Sequence, residues 1–246
     1  MKLAAMQPYA FPYLGYFQLV AAVDKFVLLD DADFISQGWV NRNRILAKGE
    51  PLLLTIPLRH ASSNRSIRDH DIAFEDRNWE KLPRLIREHY QRAPMFEAVW
   101  PILAKLFATT DRNLARFIEK ALREMMQYLE LQTEIIVSSR SYTNSHLKSA
   151  ARLVDICATE GADTYLNAEG GRMLYSTDDF KPHGIDLEFL SHVPLPYLQF
   201  SGPFVERLSV IDVLMFCDSG RLVEQLASFR IDAAQRPPLP SPDGTG

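Results

Sequence analysis

An aspartate and a histidine are the residues whose type and position best suit acid–base chemistry. Asp31 belongs to the cluster Asp30-Asp31-Ala32-Asp33 at the end of the second predicted strand, and His192 follows a later predicted strand. A carboxylate or a neutral imidazole in such a place can take a proton from a substrate amine. Because Asp also favours turns, a solvated strand end is the alternative. We predict Asp31 and His192 as catalytic, with no metal site and no cofactor.

The loop that follows the first predicted strand, residues 7–16, is rich in aromatic residues and prolines. Ligands of parallel sheets bind outside the carboxyl ends of the strands, where such a loop would form a stiff, stacking wall. We predict that Gln7, Tyr9, Tyr13 and Tyr16 bind substrate, with closure of the core as the alternative. The segment Tyr-Leu-Gly-Tyr has the outline of the His-x-Gly-His loop of adenylyl-transferring enzymes, but tyrosine cannot bring a cationic imidazolium to a phosphate.

A polar segment, Asn41-Arg42-Asn43-Arg44, is the second candidate for binding. Alternate residues of an extended segment share a face, so one face would carry two amides and the other two guanidinium groups. A guanidinium fork suits a phosphate or a carboxylate. We predict that Asn41, Arg42 and Asn43 bind substrate. The alternative is an edge strand protected by charged residues.

A glycine pair follows the predicted strand 163–167 and opens the third candidate loop. A Gly-Gly turn lets backbone N–H groups approach a ligand, and Gly170 and Gly171 are followed by Arg172 and Tyr175. The loop lacks a Walker or dinucleotide fingerprint, and a plain tight turn is the alternative. We predict that these four residues bind substrate.

Composition and charge exclude several classes of protein. The 246 residues carry a formal net charge of −4, which argues against bulk electrostatic binding of nucleic acid. No apolar run is long enough to span a bilayer, and the two cysteines lie in apolar helical contexts typical of buried structural thiols. We therefore expect a reduced, cytoplasmic protein. Its cations are concentrated at residues 36–68, which contain six basic residues and one acidic residue and could bind a local anionic group.

The pattern of apolar residues predicts strands that alternate with helices, and hence one α/β domain with a mainly parallel sheet flanked by helices. This fold class is Rossmann-like, with a nucleotidyltransferase-like fold as a narrower alternative. A helical layer is inserted at about 79–130, and a hairpin precedes it. Residues 59–77 form a long surface loop in which His60 and His70 are expected to be solvated. The domain is predicted to cover 1–230, and the proline-rich segment 231–246 to be a disordered tail.

Several motifs together resemble the WbqC-like family over roughly residues 2–216: MQPYAFPYLGYFQLVAAVDKFVLLDDADF, WVNRNRI, GADTYLNAEGGRMLY and LSVIDVLMF. The resemblance implies attachment of an acyl or aminoacyl group to an amino sugar or similar amine, in the synthesis of surface polysaccharides or natural products. Asn167 and Ala168 depart from the family pattern. The pattern falls on Gln7, Pro8, Pro12, Gly15, Asp31, Asn41, Arg42, Asn43, Tyr165, Gly170, Gly171, Tyr175 and Asp212, which adds Tyr165 to the predicted binding residues.

The leading hypothesis is a transferase that forms an amide. Its partners would be a small-molecule amine and an activated acyl donor, either a carrier-protein thioester or a sugar nucleotide. Because no cysteine or serine has the context of a nucleophile, the amine is expected to attack the donor directly. Two alternatives remain open: a nucleotide-binding protein like the adenylyl or nucleotidyl transferases, and a non-catalytic module that binds a sugar nucleotide or a carrier protein.

Overall fold

Strands and helices alternate along the chain in the computed structural model, which describes residues 1–234. The strands are β1 (Lys2–Met6), β2 (Lys25–Leu28), β3 (Arg42–Ala47), β4 (Glu50–Thr55), β5 (Glu134–Val137), β6 (Thr164–Ala168), β7 (Asp186–His192) and β8 (Phe229–Ala233). The helices are α1 (Leu14–Ala21), α2 (Arg77–Tyr90), α3 (Phe96–Phe107), α4 (Leu114–Tyr128), α5 (Ser138–Ser141), α6 (Ser149–Glu160), α7 (Thr177–Phe180), α8 (Val210–Phe216) and α9 (Ser219–Ala227). Among them, no helix is both long and apolar enough to cross a membrane.

Six strands form the main sheet in the order β5-β2-β1-β6-β7-β8, and only β8 runs antiparallel to its neighbour. Numbered by their order along the chain, these strands stand as 3-2-1-4-5-6, which is the order of the dinucleotide-binding fold. From β1 the chain continues to β2 and β5 on one side of β1, and it then crosses to β6 on the other side. The loops after β1 and β6 therefore diverge, and a crevice opens between them. The predicted α/β fold with a mainly parallel sheet is confirmed.

The two faces of the sheet are covered by separate apolar clusters. The larger cluster includes residues of α1, of the helical layer α2–α4 and of α8, while the smaller one includes residues of α6. The helical layer lies between β4 and β5 in the chain, as the apolar stripes predict. Its last helix is capped by Asn113, which accepts a hydrogen bond from the Arg116 amide, while the carboxylate of the nearby Asp111 pairs with the Arg116 side chain at 2.6 Å.

The predicted hairpin is formed by β3 and β4, and a two-residue turn joins them. Lys48 and Gly49 both have positive φ, 53° and 85°, as expected for the primed turns that match the twist of a hairpin. The hairpin docks against the start of α8, where the Ser209 amide donates to the Arg44 carbonyl at 2.7 Å. The Asn43 side chain donates to the Phe11 carbonyl at 2.8 Å, so the hairpin also fixes the loop after β1.

Two sequence expectations are wrong within the described residues. Residues 231–233 do not belong to a disordered tail, because they form part of β8 and pair with β7 through Leu190↔Ile231. The domain boundary expected at 230 therefore falls inside a strand, while residues 235–246 of the expected tail lie outside the described residues. His70 is fully buried instead of solvated, because its ring hydrogen-bonds to the Ser66 carbonyl and the Ser62 amide.

One buried carboxylate connects the helical layer to the segments around α8. Asp212 is fully buried and accepts hydrogen bonds from the hydroxyl groups of Tyr90 and Tyr197, at 2.7 and 2.6 Å, and from the Gln199 amide at 2.6 Å. No cation pairs with it among residues 1–234. Burial raises the pKa of Asp212, although the three hydrogen bonds favour its charged form.

Asp212→Ala is expected to lower the free energy of unfolding by about 3 kcal/mol or more, because it removes the acceptor of three hydrogen bonds in the core. Tyr197→Phe is the control, since it removes only one of these hydrogen bonds and is expected to cost about 1 kcal/mol. Chemical denaturation of both variants measures the difference. Equal losses in the two variants would show that Asp212 does not connect these elements.

Candidate functional site

A cleft of about 390 Å³ opens at the crevice between β1 and β6. This volume lies within the range of about 300–1,000 Å³ that is usual for small-molecule sites. The loop after β1, the hairpin, the loop after β6, the end of β7 and the segment 194–207 all contribute to its wall. The polar and aromatic residues that line it include Tyr9, Tyr13, Trp39, Asn43, Arg44, Glu169, His192 and Arg207.

His192 lines the cleft and is oriented by Gln18, a fully buried residue of α1. The Gln18 side-chain NH2 group donates to the carbonyls of Gln225 and Ser228, at 2.7 and 3.0 Å. These two acceptors fix the amide, so its oxygen is the atom that lies 2.8 Å from Nδ1 of His192. Nδ1 must therefore carry the proton. Nε2 keeps its lone pair and has no hydrogen-bond partner among residues 1–234.

Burial lowers the pKa of His192 below its usual value of 6.5, and the positive charge of Arg207 lowers it further, against an opposing effect of Glu206. The imidazole is consequently neutral at pH 7. A neutral imidazole with a free Nε2 lone pair in a cleft can accept a proton from a substrate.

The aromatic wall of the cleft consists of Tyr9, Tyr13 and Trp39. Burial raises the pKa of both tyrosines, which keeps their hydroxyl groups neutral. Tyr16, which was expected in this wall, is buried in the core, and its hydroxyl donates to the Gln7 carbonyl at 3.1 Å. The side chain of Gln7 does not line the cleft, since its amide donates to the Asp33 carbonyl.

Of the two arginines in the polar segment, the cleft is lined by Arg44 and not by Arg42. Arg42 donates from Nε to the Gly38 carbonyl at 2.8 Å, and Asn41 donates to the Ile56 carbonyl at 2.8 Å. Asn43 reaches the cleft, but its amide is occupied by the Phe11 carbonyl and the Arg44 amide. The asparagines therefore shape the hairpin, whereas Arg44 is available to a ligand.

The glycine loop contributes Glu169 and Gly170 to the cleft. Gly171 packs against Asn167, where an added Cβ would lie 2.4 Å from the side-chain nitrogen, so this glycine leaves room for the Asn167 side chain. Arg172 stacks over the Phe189 ring and pairs with Asp232 of β8 at 3.0 Å, which keeps it away from the cleft.

Two predicted tyrosines pack against the smaller apolar cluster and not against the cleft. Tyr165 is buried on β6, where its hydroxyl donates to the Ala5 carbonyl at 3.3 Å. Tyr175 is half-buried, and its ring meets those of Tyr165 and Phe180 edge-on. Both therefore support the sheet and do not line the cleft.

Comparison with known protein families shows to which family the chain belongs. The sequence profile of the WbqC-like protein family matches residues 7–223, which is most of the chain. The chain belongs to the WbqC-like protein family. An uncharacterized protein of Mycobacterium tuberculosis is 27% identical to this WbqC-like protein over 217 residues, which cover 87% of this chain and 92% of that one. No solved structure matches this chain significantly.

Asp31 of this WbqC-like protein does not line the cleft. Its carboxylate pairs with Arg152 of α6 at 2.7 Å, and the two side chains are only 4% and 9% exposed. Arg152 also donates to the Ser138 hydroxyl, and the adjacent Asp30 accepts from the Ser139 amide and hydroxyl. Both carboxylates are occupied by these contacts away from the cleft, where they join the end of β2 to α5 and α6. The catalytic role predicted for Asp31 is not supported.

Neither cysteine of this WbqC-like protein can act as a nucleophile in the cleft. Cys157 and Cys217 are both buried, and burial raises the pKa of each thiol to about 12. Among residues 1–234, no three His, Cys, Asp or Glu side chains come together as a metal site.

Sequence reasoning missed Gln18, Trp39, Glu169 and Arg207 as parts of the site. A glutamine inside an otherwise apolar helix is a signal that could have directed attention to Gln18, since a buried amide needs partners. Arg207 had no such signal, because only the folded path of the segment 194–207 brings it to the cleft.

Asp31→Asn is expected to lower the free energy of unfolding by about 3–5 kcal/mol, because it leaves the buried charge of Arg152 unpaired. Asp232→Asn is the matched control, since it breaks an exposed aspartate–arginine pair, and surface pairs contribute little. Denaturant unfolding of both variants measures the effect. An unchanged stability of Asp31→Asn would contradict the structural role and restore the aspartate as a candidate base.

Proposed function

We propose that this WbqC-like protein is a cytoplasmic transferase that passes an activated acyl or aminoacyl group to an amine, such as an amino sugar, in the synthesis of a surface polysaccharide or a natural product. One observation carries the proposal: His192 has a fixed tautomer, and its free Nε2 is on a residue that lines the cleft between β1 and β6. Amide formation from an activated acyl group needs such a base, because a protonated amine cannot attack a carbonyl.

The proposed reaction uses His192 as the base and Glu169 as the group that attracts the substrate ammonium. The ammonium first loses one proton to water, and Nε2 of His192 then takes a second proton from the amine nitrogen as that nitrogen bonds to the acyl carbon. When the donor is a thioester, the carbon–sulfur bond breaks and the leaving sulfur receives the proton. The products are an amide and a thiol, with no change in oxidation state.

Direct attack fits the side chains of the cleft better than a covalent acyl-enzyme does. No cysteine or serine lines the cleft within the described residues, and both thiols are buried elsewhere. The rings of Tyr9, Tyr13 and Trp39 would cover the reacting atoms and exclude water, which would otherwise compete with the amine.

A nucleotide-binding protein is the second candidate, because the cleft lies at the switch point of a sheet with the dinucleotide-binding strand order. Adenylyl transfer by the Tyr-Leu-Gly-Tyr loop is not supported. Tyr16 is buried, and Tyr13 offers only a neutral hydroxyl, so neither supplies a cation to a phosphate. Nucleotide binding without adenylyl transfer remains compatible with the acyl transfer proposed above.

His192→Gln is expected to slow amide formation by about 10²–10⁴-fold, because it removes the general base. His183→Gln is the matched control, since His183 is exposed and lies in a surface turn away from the cleft. The assay combines acyl and aminoacyl thioesters with nucleotide-linked amino sugars and detects the amide by mass spectrometry. Equal rates for His192→Gln and the unaltered protein would exclude His192 as the base, and a covalent acyl adduct on the protein would exclude direct attack.

The rate of the unaltered protein, divided by the concentration of unprotonated amine, is expected to rise with pH and to level off, with a midpoint below 6.5. The reason is that only the neutral imidazole accepts a proton, and burial lowers the pKa of His192. The rate of His192→Gln is expected not to fall at low pH in this way. A pH–rate profile of both proteins measures the difference.

A further inference from the structure

Within residues 1–234, Arg44 has no carboxylate partner, and it lies in a cleft that also contains aromatic rings, a second cation, Arg207, and one acidic residue, Glu169. We propose that Arg44, held over the ring of Trp39 and assisted by Arg207, is the binding site for a phosphate group of the substrate. The inference rests on the proposed function, because it assigns a ligand class to the same cleft.

The side chain of Arg44 lacks the contacts that occupy other arginines around the sheet. Within residues 1–234 it has no carboxylate within salt-bridge distance and no side-chain hydrogen bond, and its Nε is buried without an acceptor. By contrast, Arg42 is held by the Gly38 carbonyl, and Arg172 by Asp232. The terminal nitrogens of the guanidinium likewise have no acceptor within the described residues, and they are therefore free to donate to an anionic ligand.

The backbone and ring contacts of Arg44 hold its guanidinium in place before a ligand arrives. Its amide donates to Oδ1 of Asn43 at 2.8 Å, and its carbonyl accepts from the Ser209 amide at 2.7 Å. The guanidinium carbon lies 5.3 Å from the centre of the Trp39 ring, which is within the range of a cation–π contact. A pre-ordered guanidinium loses less entropy when it binds an anion.

Arg207 supplies a second positive charge at the rim of the cleft. It has a φ of 59°, in the left-handed region that non-glycine residues rarely adopt, and its side chain is 72% exposed. Its nearest carboxylate, that of Glu206, is 3.9 Å away, which leaves its donors available. Backbone strain of this kind is retained when the surrounding structure requires it, and here it places a cation beside Tyr13 and His192.

The charges favour a phosphate over a carboxylate as the ligand of this site. Two guanidinium groups match the charge of a phosphate or diphosphate, whereas a single carboxylate would neutralise only one of them. Two sources of such a group fit the proposed reaction: the diphosphate of a nucleotide-linked amino sugar, and the phosphate of a phosphopantetheine thioester. With either source, the rest of the ligand would lie along the wall of Tyr9 and Tyr13: the aromatic base of the nucleotide in one case, and the polar pantetheine chain in the other.

The test is calorimetric titration of the full chain with uridine diphosphate and, separately, with coenzyme A. Arg44→Gln is expected to weaken binding of the preferred probe at least tenfold, while Arg42→Gln, which removes the same charge from the same strand, changes it less than twofold. Arg44→Lys is expected to recover only part of the affinity, because an ammonium cannot form two parallel hydrogen bonds. Thermal melting confirms that each variant is folded.

Preference for uridine diphosphate identifies a sugar nucleotide as the source of the phosphate, and preference for coenzyme A identifies a phosphopantetheine donor. The proposal is overturned if neither probe binds the unaltered protein at millimolar concentration, or if Arg42→Gln weakens binding as much as Arg44→Gln does. The titration involves no turnover, so its result stands whether or not His192 proves to be the base.

Discussion

The amide of Gln18 is the interaction on which the arrangement of the cleft depends. A fully buried amide in an apolar helix must satisfy both of its ends, and it does so by joining α1 to the end of α9 and to β7. The two carbonyl acceptors leave only one orientation for the amide, which in turn leaves only one tautomer for His192. A single buried hydrogen-bond network thus connects the packing of three elements to the chemistry that the cleft can perform.

The parallel sheet explains why the sequence predicts part of this site. Carboxyl ends of parallel strands meet at one edge, so residues that follow predicted strands are expected to lie near one another. Tyr9 and Tyr13 after β1, Gly170 after β6 and His192 at the end of β7 all line the one cleft for this reason. The apolar runs and helical stripes likewise predict most strands and helices, because burial of one face determines their period.

Other features depend on contacts between residues far apart in the chain, which the sequence does not reveal. Alternation places Arg42 and Arg44 on one face of a strand, but only the docking of the hairpin on α8 determines which of them reaches the cleft. Asp31 follows a parallel strand, which is where a catalytic carboxylate would be expected. The buried Arg152 that pairs with it belongs to a helix, 121 residues later in the chain. The edge strand β8 is half-exposed and lies just before a proline-rich segment, so its pattern resembles that of a tail.

Gln18 holds His192 with its proton on Nδ1 and a free lone pair on Nε2. Long-range ¹H–¹⁵N correlation spectra of the imidazole at pH 7.5 test this claim most directly, since the two nitrogens have different shifts when protonated and unprotonated. The structure predicts a protonated Nδ1 and an unprotonated Nε2 for His192. A protonated Nε2 would contradict the orientation of the Gln18 amide, and with it the assignment of His192 as the base of the cleft.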